Sequence, residues 1–141
     1  KEAVSIVDNV IAEIAKYDTK DIFATRDTHP ENYLETQEGK NLPVVHCVKG
    51  TDGWQINEKV KTALKDAVVI DKPTFGSKIL AEEITKIAEK EDITVTLVGL
   101  CTDICVVSNA ILIICRRSRS KSLLPAAQVS HRKAMKLHWL Q

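Results

Sequence analysis

No stretch of this 141-residue chain is apolar for long enough to cross a bilayer, and no basic segment followed by an apolar one opens it. These absences argue against a membrane partner and predict a cytosolic protein. A disulfide framework is missing as well. The four cysteines, Cys47, Cys101, Cys105 and Cys115, have no small secreted scaffold around them and are expected as free thiols. Acid is missing from the last part of the chain: all 19 acidic residues lie at or before Asp103, whereas seven of the 20 basic ones follow Cys115. Residues 1–115 thus carry a formal charge of about −6 beneath the overall +1. What remains, 44% apolar and 28% charged, is the composition of one soluble globular domain.

The organising stretch is Val95 to Ile111. Thr94–Val98 is rich in β-branched residues, Gly99 breaks the run, and Thr102-Asp103 resembles a helix cap before the apolar Ile104–Ile114. A buried strand, a tight turn and a helix are predicted. Unpaired N–H groups at a helix start favour negative charge, so Cys105 is expected to be drawn toward thiolate. The backbone N–H groups of Cys101 and Cys105 could converge on one developing oxyanion. Both cysteines could equally be small buried hydrophobes.

Residues 2–17 carry apolar positions at helical spacing, and Asp21–Thr25 reads as a short strand. The loop after it holds Asp27 and His29, two apart, so an extended backbone can aim both side chains the same way. A carboxylate and an imidazole are suitable first ligands for Zn, Fe or Mn, although Asp-x-His also occurs in ordinary polar loops. Leu42–Val45 reads as a strand entry ending at His46, which taken alone would be structural. Residues 56–67 predict a short helix and Val68–Asp71 a strand with Lys72 at its carboxyl end. Such a lysine can stabilise a thiolate or stand in solvent. Ser77–Asp92 is an amphipathic helix. The alternation predicts an α/β fold, a three-layer α/β/α arrangement around a parallel sheet. Strands near residues 22, 44, 69 and 96 would then deliver their polar residues to one carboxyl edge, where open sheets bind ligands.

Val98-Gly99-Leu100-Cys101-Thr102-Asp103-Ile104-Cys105-Val106 resembles the nucleophile motif of the isochorismatase-like cysteine hydrolases, the family that includes nicotinamidases. The resemblance covers residues 1–114. It implies Cys105 as nucleophile, Cys101 and Cys105 as oxyanion amides, and a cis peptide between Leu100 and Cys101. It implies Lys72, followed by Phe75, as the catalytic lysine. It also implies a divalent metal (Zn, Fe or Mn) held by Asp27, His29, Glu38 and His46, with Glu31 and Glu35 as competitors of Glu38. The reaction implied is cleavage of a small carboxamide such as nicotinamide to the acid and ammonia through a thioester, a step in NAD salvage. Relatives are often multimeric, so a homo-oligomer is expected.

The family pattern departs at both ends. Family members open with a central strand ending in a catalytic Asp, and this chain starts with the helix that would follow it; neighbouring strands are therefore expected to be left unpaired. From Cys115 the acid-free text changes abruptly with no Gly-rich or Pro-rich linker. Residues 115–141 are read as an aberrant basic tail, frameshifted or disordered, rather than a nucleic-acid-binding one, and His131, His138 and Trp139 receive no role. The competing readings are an inactive metal-binding remnant of such an enzyme and an isochorismatase-type hydrolase of another small substrate. A Cys101–Cys105 redox pair is disfavoured by a spacing that is not Cys-x-x-Cys.

Overall fold

Phe23–Asp27 and Val68–Lys72 are runs in which apolar residues lead into a charged end, and they form the strands β1 and β2. The two pair in parallel, Phe23 opposite Val68 and Asp27 opposite Lys72. The structure, a computed structural model, describes residues 2–120; most of the basic tail, including His131, His138 and Trp139, lies outside the described residues. A parallel pair needs a crossover. Here residues 28–67 supply it, with the short helices α3 (Gln37–Asn41) and α4 (Glu58–Leu64). The amino-terminal amphipathic stretch forms α1 (Glu2–Ser5) and α2 (Val7–Ile14), interrupted at Ile6, and α2 packs on α4.

After β2 come α5 (Lys78–Ala88) and α6 (Val107–Ser120), which pack on each other. Ser77 caps α5, its hydroxyl accepting from the Leu80 N–H at 3.1 Å. The core lies between this helix pair and the sheet: Ile70, Leu80, Ala81, Ile84 and Ile113 are buried, with Phe23 and Leu112 against them. No helix among the described residues is long and apolar enough to cross a membrane.

The α/β class is as expected, with fewer ladders. Two of the four expected strands pair. Residues 93–98 keep the alternation of a strand, with Ile93, Val95 and Leu97 packed on the core and Thr94, Thr96 and Val98 exposed, yet they belong to no ladder. Val44 and Val45 are both more than half exposed, and no described residue covers them to make a strand there favourable. β1 and β2 pair with each other along one edge each, and among the described residues the other edge of both carries no ladder, with Val68 and Val69 exposed, as expected for strands that lack a neighbour. Helix α6 also runs unbroken through Cys115 to Ser120, past the change in composition.

Candidate catalytic and metal site

The β1–β2 register sets the site. With Asp27 opposite Lys72 at the carboxyl ends, and the Thr28 N–H donating to the Lys72 carbonyl at 2.9 Å, the two side chains share one edge. Lys72 is buried, and its ammonium donates to the Asp27 carboxylate, to the Thr74 carbonyl at 3.3 Å and to Cys105 Sγ at 3.7 Å. The lysine therefore joins the strand edge to the cysteine turn. Arg26 fastens the same edge from its other face: it pairs with Asp71 at 2.8 Å and lies 3.6 Å from the Trp54 ring centre. The Trp54 indole N–H in turn donates to the Thr28 hydroxyl at 2.9 Å.

Cys105 lies in a π-turn, Thr102–Val106, that leads into α6. Cys101 heads this turn in a left-handed conformation (φ 50°), and its carbonyl accepts from the N–H groups of Ile104 and Val106. The expected cis peptide at Leu100-Cys101 is not found; the bond is trans. The chain instead reverses through the positive φ of Gly99 and Cys101. The expected pull toward thiolate is also reversed. Burial pushes the Cys105 thiol above its ordinary value, and the opposing Lys72 ammonium does not overcome it, since Asp27 and Cys101 add to the upward shift.

Beside this cluster stands a second. An isolated parallel bridge, with the His29 N–H donating to the Cys47 carbonyl (3.0 Å) and the Lys49 N–H to the His29 carbonyl (2.9 Å), brings the loop after β1 against residues 46–49. This places the rings of His29 and His46 with centres 4.8 Å apart. Tyr33, fully buried, touches both, at 4.7 Å from His29 and 5.0 Å from His46, and its hydroxyl donates to the Leu42 carbonyl at 2.9 Å. Thr36 caps α3 by accepting from the Gly39 N–H, so Glu38 falls in the first helical turn, its carboxylate 3.6 Å from His29 Nε2. A Cβ at Gly39 would run into the Tyr33 carbonyl, so the close approach of α3 requires glycine there.

One ligand atom each from His29, Glu38 and His46 lie within 4.8 Å of one another. The fit to a divalent metal is visible in the donors themselves. His29 Nε2 is buried without a hydrogen-bond partner among the described residues. His46 engages the Val44 carbonyl through Nδ1 at 2.6 Å, which leaves Nε2 for a ligand in the way metal-binding histidines are commonly arranged. Burial also holds the His29 pKa below its ordinary value, favouring the neutral ring that binds metal. Asp27 is not in this group; its carboxylate is engaged by Lys72. Glu31 and Glu35 are exposed and remain outside it, which favours Glu38 among the three.

A model of the isochorismatase domain matches residues 1–114. The chain belongs to the isochorismatase family. The match ends where the charge pattern changes, within α6, and covers both side-chain clusters. Comparison with curated proteins and with solved structures returned no match. Family membership suggests an isochorismatase-like hydrolase.

Two residues that contact these clusters are not among the sequence-derived candidates. Tyr33, one of only two tyrosines, stands in an otherwise polar loop between the metal-ligand candidates. Asn109 interrupts the apolar Ile104–Ile114 run, and that interruption was the available signal.

Proposed function

We propose that this chain is a cysteine hydrolase acting on a small carboxamide such as nicotinamide, releasing the acid and ammonia. The observation that carries the reading is the placement of a buried Lys72 ammonium 3.7 Å from Cys105 Sγ at the carboxyl edge of the sheet. Cys105 is the nucleophile. As its sulfur passes the proton to the carboxylate that the family carries on a strand preceding the first helix, and attacks the carboxamide carbon, the adjacent ammonium stabilises the negative charge; the same carboxylic acid then returns that proton to the leaving nitrogen. The tetrahedral oxyanion falls to backbone amides of the Cys101–Cys105 turn. Collapse breaks the C–N bond, the nitrogen leaves as ammonia after taking a proton, and water cleaves the thioester to restore Cys105. The acid that protonates the leaving nitrogen is carried, in the family, on a strand preceding the first helix. Among the described residues, Asp27 is the carboxylate acting on both Lys72 and the thiol.

His29, Glu38 and His46 would hold a divalent metal (Zn, Fe or Mn), with Asp27 beside them. The bound metal would anchor a ring nitrogen or orient a carboxamide. A cytosolic location and a homo-oligomer accompany this reading.

The test is ammonia release from nicotinamide by the metal-loaded protein. Turnover that vanishes in Cys105→Ala and falls sharply in Lys72→Met supports the proposal; turnover that survives Cys105→Ala sinks it. A second reading, a metal-binding remnant without turnover, is favoured by the raised thiol and by the capture of Lys72 by Asp27. It predicts stoichiometric metal uptake with no ammonia.

A further inference from the structure

We infer that Asn109 is a positioning residue that holds the nucleophile turn and the lysine-bearing loop in one geometry, an inference that rests on the reading of Cys105 and Lys72 above. Asn109 is buried on α6, one turn beyond Cys105, and all its polar atoms are engaged. Its carboxamide oxygen accepts from the Ser77 N–H at 2.9 Å. Its NH₂ donates to the Cys105 carbonyl at 2.8 Å and to the Phe75 carbonyl at 3.4 Å. One side chain thus ties the backbone of the nucleophile to both ends of the Phe75–Ser77 segment.

That segment is the continuation of β2 beyond Lys72 and Thr74, whose carbonyl is the third partner of the Lys72 ammonium. It lies directly on α6: a Cβ at Gly76 would come 2.6 Å from Leu112 Cδ1 and 3.3 Å from the Ser108 carbonyl. A side chain there would have to displace Leu112 and press on the Ser108 carbonyl. Asn109 therefore works where loop and helix lie close together, setting how far Cys105 stands from Lys72. A 3.7 Å charge-to-sulfur contact is sensitive to such a spacing, because the attraction falls with distance while thiol burial remains.

Alkylation of the full-length chain by iodoacetamide at pH 7 tests this, with modification read separately at each of the four cysteines by peptide mass mapping. The exposed Cys101 serves as internal reference. Loss of the lysine charge removes the cation that opposes the upward shift of the Cys105 thiol and leaves less thiolate, of which the greater nucleophilicity of a more basic thiolate recovers only part. Lys72→Met is therefore expected to slow Cys105 several-fold. Asn109→Leu removes all three bonds and is expected to slow it similarly. Asn109→Ser, whose hydroxyl can still reach its own i−4 carbonyl but not the loop, should behave like the leucine variant and guards against misfolding of the latter. The double variant of Asn109→Ser with Lys72→Met should be no slower than Lys72→Met alone, since the asparagine acts through the lysine.

A wild-type Cys105 rate in folded Asn109→Ser, with Lys72→Met slowed, overturns the role of Asn109 alone. So does a double variant slowed by the product of the two single effects. An unchanged rate in Lys72→Met removes the lysine–thiol reading and the inference with it.

Discussion

Zinc or manganese bound at His29, Glu38 and His46 will raise the thermal midpoint of the protein by about 10 °C. The site begins with a penalty that the metal can relieve. His29 is 2% exposed and its Nε2 has no hydrogen-bond partner among the described residues, and an unsatisfied buried polar atom costs about 1–3 kcal/mol. At free metal a hundredfold above the dissociation constant, binding to the folded state adds about 2.7 kcal/mol. Unfolding entropies of about 2 cal/mol/K per residue, taken over residues 2–120, give about 0.25 kcal/mol/K, and the quotient is the expected shift. Melting should be followed by circular dichroism with and without metal. Manganese(II) provides the control against zinc capture by the free thiols, which bind it weakly. If His46→Ala weakens binding a hundredfold, only about 0.4 kcal/mol of stabilisation is left at the same metal concentration, a shift under about 2 °C. A wild-type shift as small as that, or a full shift retained in His46→Ala, would refute the assignment of these residues.

The remaining expectations concern neighbouring groups. Asp27→Asn removes a carboxylate that raises the Cys105 thiol and occupies Lys72, so Cys105 alkylation at pH 7 should become several-fold faster, the opposite of Lys72→Met. Unchanged or slower alkylation would contradict the electrostatic account. Metal-free protein should lose stability as pH falls below about 6.5. There the unfolded chain takes up a proton that buried His29, with its lowered pKa, resists; the contribution is present above that pH and lost as pH falls toward the folded value, by at most about 1.4 kcal/mol per unit. Urea midpoints at pH 7.5 and 5.5 should differ less in His29→Leu than in the wild type. Tyr33→Phe keeps the ring contacts with both histidines and removes one of the two donors to the Leu42 carbonyl, the Val44 N–H remaining, at a cost of about 1 kcal/mol with metal binding retained. Tyr33→Ala should cost about 3–5 kcal/mol and metal binding as well.

Most of the site could be read from side-chain type and the carboxyl ends of predicted strands. Lys72 and Cys105 meet as expected, and His29 and His46 converge although neither alone is distinctive. Glu38 could not be separated from Glu31 and Glu35 by spacing, because the choice depends on the Thr36 cap that starts α3 one residue before Glu38. The partner of Asp27 was illegible for another reason: it depends on the register between strands 45 residues apart in sequence, which hydrophobic pattern alone does not specify. Residues 93–98 show the limit of periodicity. They alternate in burial as a strand does, but pattern reports which side chains face the core and not whether a backbone partner is present. Thiol ionisation was misjudged because the helix start was legible, while the burial of Cys105 and the neutralisation of Lys72 by Asp27 are properties of the assembled edge.

The parallel β1–β2 pairing also bears on the order of events in folding. Asp27 and Lys72 are separated by 45 positions and Lys72 and Cys105 by 33, with the whole crossover between the first two, so none of these contacts can form from local chain. Closing such loops is paid in entropy before the packing returns it, whereas α5 and α6 are local elements that can form early. Cys105 should thus remain open to alkylating reagents through most of refolding and become less reactive only in the last phase, when the two strands find their register.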